Sequence, residues 1–160
     1  LMADAMLDHV LRQCFPSDAF SASLALRPDL APERHEDHLD LLEEVVKPWR
    51  EMRENERIFV DRLHLLTTAS LAHCLPRILV LCLEDDPDLI VTQLPSILLA
   101  RASGFFEERP IFEYLSPLQR QVCLAVLGYC WLQYETDVNG DFSVLVQHPG
   151  WDGTDYLGEI

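Results

Sequence analysis

The chain has 160 residues, of which 49% are hydrophobic and 24% are charged, a length and composition typical of one soluble globular domain with a substantial core. It carries 12 basic and 27 acidic residues, a net charge of −15. This balance argues against binding to nucleic acid or an anionic membrane, since both need Lys and Arg to neutralise phosphate. It favours a basic protein partner, with solubility in a bacterial cytosol as the alternative explanation.

Apolar spacing in the first half of the chain predicts three helices separated by one long irregular loop. The first covers 3–14, and the loop covers 19–35. The second covers 36–46, and the third begins at Pro48 and runs to about Val60, because Pro suits a first helical turn. The predicted inner faces of the second and third helices are Leu39, Leu42, Val45 and Val46, and Trp49, Met52, Phe59 and Leu63.

The stretch 65–84 predicts the helix around which the other elements pack. Thr67 is a suitable N-cap, because its hydroxyl can accept a hydrogen bond from a backbone N–H of the first turn. Beyond it the residues are apolar on nearly every side, which is typical of a helix surrounded by other elements. Pro76 lies in the middle and is expected to bend the helix. The polar residues form one narrow stripe of Ser70, His73, Arg77 and Glu84.

Two further helix starts follow the same logic. Asp86 is the predicted N-cap of a helix over 87–102, kinked or split at Pro95. Ser116 is the predicted N-cap of a second buried helix over 117–134. The whole pattern predicts an all-α, single-domain bundle of five or six helices around two buried helices.

The C-terminal segment, 135–160, differs from the helical domain of residues 1–134. It is acidic and contains no Lys or Arg. The segment is predicted to be irregular or a short hairpin, since Asn139-Gly140 favours a two-residue hairpin turn and is flanked by Val138, Phe142, Val144 and Val146. This extension could be an added contact surface, or it could pack back on the domain.

No sequence pattern indicates catalysis, a cofactor or a metal. The five cysteines form no metal-ligand spacing, and their odd number and apolar surroundings predict reduced, buried thiols in the cytosol. The cluster 35–38 lacks the histidine spacing of a zinc-protease helix, and 137–141 lacks the glycine and glutamate positions of a calcium loop. A weaker alternative is an enzyme with a site around His73, Arg77 and Glu84.

The stretch 67–79 resembles the signature of an uncharacterised family of small bacterial all-helical domains, with a Leu-Thr helix start followed by Leu-Pro. Leu66-Thr67 and Leu75-Pro76 match that pattern, and Trp49 and the later helix start 115–117 also fit it. The family usually carries two aromatic residues before Leu-Pro, where this chain has His73 and Cys74. The resemblance implies the helical fold and supplies no catalytic residues.

The chain is also similar in style to immunity proteins, the small acidic bacterial proteins that neutralise toxins. It is therefore predicted to be a cytoplasmic, non-enzymatic immunity protein that occludes a basic toxin effector, with a nuclease as the favoured class. The alternative is an acidic adaptor or structural protein without a toxin partner. Neither nucleic acid, a membrane, a metal nor a cofactor is expected to bind. The predicted partner-binding residues are Glu84, Asp85, Asp86, Asp88, Asp137, Asp141, Trp151, Asp152, Asp155 and Tyr156.

Overall fold

The structure is a computed structural model, which describes residues 2–28, 36–52, 59, 61–84, 87–102, 109–134, 141–148 and 151. Within them the fold is all-α, as predicted, with six helices and no strands. No helix in this part of the chain has the length and apolar character needed to cross a bilayer. The helices are α1 (Met2–Cys14), α2 (Leu39–Val45), α3 (Thr68–Glu84), α4 (Pro87–Ala100), α5 (Pro117–Tyr134) and α6 (Asp141–Gln147).

The predicted central helix is confirmed. α3 packs against α1, α2, α4 and α5, and almost all its side chains between Ser70 and Leu83 are buried or half-buried. The helix continues through Pro76, and α4 likewise continues through Pro95 rather than splitting. Burial on every side explains why the apolar residues of α3 show no amphipathic period.

Both α3 and α5 begin with the predicted caps, but α5 is not buried on all sides as predicted, because Leu118 is 52% and Leu132 is 73% exposed. Thr67 Oγ1 accepts a hydrogen bond from the backbone N–H of Ser70 at 3.1 Å. At the start of α5, Ser116 Oγ accepts from the N–H of Gln119 at 3.1 Å, and Gln119 Oε1 accepts from the N–H of Ser116 at 2.8 Å. The second pair is a reciprocal capping box. Asp86, the predicted cap of α4, lies outside the described residues.

The second predicted helix is present, and its predicted inner face is right at Val45, which is buried, and in part at Leu42 and Val46, which are half-buried, but wrong at Leu39. A 3₁₀ turn over Glu36–His38 precedes α2, and a 3₁₀ turn has about 3.0 residues per turn instead of 3.6. The side chains of α2 are therefore rotated relative to a continuous helix. Leu41 and Val45 are buried, whereas Leu39 is 49% exposed.

The third predicted helix is wrong over 48–52. Only a 3₁₀ turn, Trp49–Glu51, forms there, and Met52 ends it in an extended conformation. Its predicted inner face is nevertheless buried throughout. Trp49 Nε1 donates to the carbonyl oxygen of Phe15 at 3.3 Å, so tertiary contacts fix this segment where helix propensity does not. Residues 53–58 lie outside the described part of the chain.

The predicted hairpin strand after Asn139-Gly140 is also wrong, because residues 141–147 form α6. α6 packs on α4 and α5. Leu145 is fully buried while Val144 remains exposed, so the alternating pattern that suggested a strand does not match the buried face. Burial of Leu145 outweighs the β-propensity of its neighbours.

Candidate functional site

The first turn of α3 is attached to the loop that follows α1. The backbones of Leu26 and Leu66 form an isolated antiparallel bridge. Two side chains strengthen it: Thr67 Oγ1 donates to the carbonyl oxygen of Leu24 at 2.6 Å, and Ser70 Oγ donates to that of Ala25, also at 2.6 Å. The capping residues therefore also fix the loop that leads from α1 towards α2.

A buried arginine supports the same turn from the other side. Arg101, which follows α4, is 1% exposed. Its Nη1 donates to Thr68 Oγ1 at 3.1 Å and its Nη2 donates to the carbonyl oxygen of His64 at 3.1 Å. A guanidinium stays charged in proteins, so it can be buried only where acceptors surround it. Sequence reasoning missed this role, because Arg101 falls at the end of a predicted helix like an ordinary surface cation.

A groove of about 380 Å³ opens where the loop after α1, the first turns of α3 and the start of α5 meet. We call it the His73 groove. Its polar lining comes from Asp18, His73 and Gln119, and its aromatic lining includes Phe20 and Tyr114. Of these residues, sequence analysis singled out only His73 as a candidate, because the others come from segments far apart in the chain.

The imidazole of His73 is held in a defined tautomer. Its Nε2 lies 2.8 Å from the carbonyl oxygen of Lys47, which can only accept, so Nε2 carries the proton. The ring stacks on Phe20 with centroids 5.0 Å apart. Burial lowers the pKa of His73, against the opposing effects of the Lys47 carbonyl and the Asp18 charge. The ring is therefore neutral at neutral pH, with Nδ1 as its acceptor.

The remaining polar stripe of α3 does not assemble into an enzyme-like site. Ser70 is buried and bonded to the loop, whereas Glu84 is exposed at the last residue of the helix. With a rise of 1.5 Å per residue, His73 and Glu84 lie about 16 Å apart along the axis. They cannot act on one substrate atom in this arrangement.

A second groove, of about 430 Å³, lies between the segment 61–64 and α4. Asp61, His64 and Ser96 all line it. Asp61 has a positive φ of 60°, and its N–H donates to Gln93 Oε1 at 2.9 Å. Within the described residues no hydrogen bond joins the side chains of Asp61, His64 and Ser96 to one another, so this groove does not contain an assembled catalytic triad.

The predicted partner-binding residues fall into three groups. Glu84 is exposed, and Asp88 and Asp141 lie in the first turns of α4 and α6, two helices that pack against each other. Trp151 is 1% exposed within the hydrophobic core, which favours the alternative that this part of the extension packs on its own domain. The others lie outside the described residues: Asp85, Asp86, Asp137, Asp152, Asp155 and Tyr156.

Basic and acidic side chains are used differently. Every Lys and Arg that the structure describes contacts another group of the chain, as the Lys47–Glu44 and Arg62–Asp40 ion pairs illustrate. Many carboxylates are instead exposed, and in the described part of the chain they form no ion pair. These are Asp18, Glu36, Asp37, Glu43, Glu51, Asp61, Glu84 and Glu113.

All five cysteines are free thiols. Burial raises the pKa of Cys74, Cys82 and Cys123, which makes these thiols poor nucleophiles. Among the residues with described positions, no group of His, Cys, Asp and Glu could hold a metal ion. In the cluster 35–38, Glu36 and Asp37 point to solvent while His38 is half-buried.

Comparisons of the chain with family models, with curated proteins and with solved structures returned no match. The function is therefore inferred from the charge distribution and the groove geometry of this chain alone.

Proposed function

We propose that the protein is a cytoplasmic immunity protein, which binds a basic bacterial toxin effector and neutralises it by occlusion. The observation that carries this proposal is the set of exposed carboxylates without ion pairs in a chain of net charge −15. The 12 basic residues reduce this negative field but do not cancel it, because the chain has 27 acidic residues. Such a surface attracts and orients a cationic partner.

A nuclease is the toxin class that fits best. An enzyme that grips phosphate presents a cationic cleft, and carboxylates can fill that cleft in place of phosphates. Glu84, with the neighbouring acidic residues 85, 86 and 88, is the contact surface proposed from the sequence. The acidic extension is a second contribution. Trp151 is not part of the proposed surface, because its side chain lies in the core.

Co-expression tests the proposal. A toxin domain encoded beside the gene of this chain should stop bacterial growth when produced alone, and co-production of the chain should restore growth. Asp85→Lys combined with Asp86→Lys and Asp88→Lys should weaken the rescue. Glu113→Lys, a single reversal elsewhere on the surface, is the control and should retain most of it.

Two outcomes would contradict the proposal. One is a toxic neighbouring protein that the chain neither binds nor neutralises. The other is a chain that binds only partners without a cationic surface, which would support an acidic adaptor instead.

A further inference from the structure

The His73 groove contains two hydrogen-bond acceptors that no group of the described chain uses, Asp18 and His73 Nδ1. Gln119 adds no further acceptor, because its Oε1 accepts from the N–H of Ser116 at 2.8 Å while one N–H of its Nε2 donates to the carbonyl oxygen of Cys14 at 2.9 Å. The exposed Asp18 carboxylate forms no ion pair within the described residues. His73 uses its N–H on Lys47, which leaves Nδ1 as an acceptor. An occupant with several donors can therefore use both acceptors.

The aromatic walls of the groove suit a flat cation. Phe20, which stacks on His73, and Tyr114 both line the cavity. One face of Tyr114 is covered by a guanidinium of the chain itself, since Arg109 Cζ lies 4.5 Å from the centroid of its ring, so a second guanidinium would have to use the opposite face or Phe20. Guanidinium groups stack favourably on such rings, and they do so while keeping their in-plane N–H groups free to donate.

We propose that the His73 groove binds an arginine side chain of the basic partner, with Asp18 and His73 Nδ1 as acceptors. The identity of the partner rests on the proposed function. A planar guanidinium has five donors and can bind a carboxylate through two parallel hydrogen bonds while a further N–H reaches a second acceptor. A lysine ammonium is more strongly hydrated and has no flat face for the aromatic wall, so it fits the groove less well.

The same lining disfavours other ligand classes. An anion would meet the Asp18 carboxylate without a balancing cation, since none of the described residues that line the cavity is a Lys or Arg. A metal ion would find only one carboxylate and one imidazole among the described lining residues. In the described part of the chain no three or more His, Cys, Asp or Glu residues are arranged to hold a metal ion.

The test uses a blocked arginine, N-acetyl-arginine methylamide, and its neutral isostere, N-acetyl-citrulline methylamide. Each is titrated into the isotopically labelled protein at neutral pH, and the resonances of the His73 and Phe20 rings are followed by NMR. The arginine probe should give saturable shifts confined to the groove, and the citrulline probe should bind at least about tenfold more weakly, because it lacks the charge that strengthens hydrogen bonds to a carboxylate. The matching lysine probe should fall between them.

Variants locate the binding. Asp18→Asn should weaken binding of the arginine probe by about tenfold or more. Glu43→Gln, which neutralises an exposed carboxylate on α2, should leave it unchanged. Far-ultraviolet circular dichroism of both variants checks that the fold is intact.

Equal binding of the arginine and citrulline probes, shifts that avoid the groove, or full binding by Asp18→Asn would overturn the inference. Its failure is separable from that of the proposed function. If the Asp18→Asn variant neutralises a toxin as well as the unchanged chain does, the groove inference fails and the proposed function stands. If the groove binds the arginine probe but the chain has no toxin partner, the groove inference stands and the proposed function fails.

Discussion

The interior around Arg101 and the acidic surface of α2 show two opposite uses of charge. Arg101 is buried, and its guanidinium is hydrogen-bonded to Thr68 and to the backbone of His64. Glu36 and Asp37, in the 3₁₀ turn before α2, and Glu43, on α2, are exposed and form no ion pair within the described chain. The buried charge joins α3, α4 and the preceding loop, so it serves the fold. The surface charges contribute little to folding and remain available to a partner.

The largest effect is expected from removing the buried charge. Arg101→Met should lower the free energy of unfolding by about 3 kcal/mol, because Thr68 Oγ1 loses a donor that buried surroundings do not replace. Urea denaturation measures the change. Arg109→Met, at an exposed arginine that lies over Tyr114, is the matched control and should cost less than about 1 kcal/mol. Equal costs would show that burial of Arg101 does not matter to stability.

The next largest effects are expected from the two hydroxyl side chains that cap α3 and α5. Thr67→Ala removes both a helix cap and the bond to the Leu24 carbonyl, so we expect a loss of about 2 kcal/mol. Ser116→Ala removes an exposed cap alone and should cost about 1 kcal/mol. Thermal or urea unfolding of the two variants gives the difference. If they lose the same stability, the bond from Thr67 to the loop contributes nothing.

The free energy of unfolding should depend on pH through His73, a half-buried base. Its pKa is lowered in the folded protein, so below pH 6.5 the unfolded chain takes up a proton that the folded chain does not. Stability is therefore fully present above pH 6.5 and declines as the pH falls through the lowered folded pKa. His73→Gln should flatten this part of the profile, measured by urea denaturation at a series of pH values. An unchanged slope between the two proteins would contradict the assigned burial effect.

The smallest effect belongs to the surface ion pair. Arg62 donates to both carboxylate oxygens of Asp40 at 2.9 and 3.0 Å, and this hydrogen bonding is the main cause that lowers the pKa of Asp40 below 3.8. Its stabilisation is present above pH 3.8 and is lost as the pH falls through the lowered pKa. Because Asp40 is exposed, Asp40→Asn should cost only about 0.5 kcal/mol at neutral pH. Urea denaturation over the same pH series should show that the stability lost on Asp40→Asn disappears as the pH falls below 3.8. The effect of His73→Gln should instead change at higher pH, below 6.5.

The sequence predicted the helical class, the central position of α3 and the caps at Thr67 and Ser116. These features depend on local composition and on residues three or four apart, which a single sequence records directly. Thr67 illustrates the limit. Its cap follows from its position before an apolar run, but its bond to Leu24 joins residues 43 apart in sequence and has no local signature.

The errors have a common cause in tertiary contacts. Trp49 lies in a short 3₁₀ turn whose position is fixed by burial and by the Phe15 carbonyl, although Pro48 suggested a helix start. Leu145 is buried in a helix where its β-branched neighbours suggested a strand. The His73 groove was not predictable for the same reason, since Asp18, His73 and Tyr114 are brought together only by the packing of three segments.

If carboxylates capture a cationic partner, the rate of association should depend on salt, and stopped-flow mixing measures that rate. The chain is mixed with the toxin domain encoded beside its gene, over a series of salt concentrations. The association rate should fall steeply as salt rises, and at low salt it should be lower when Asp85, Asp86 and Asp88 are all replaced by Lys. A rate that is flat across the salt series and unchanged by these replacements would contradict capture by carboxylates.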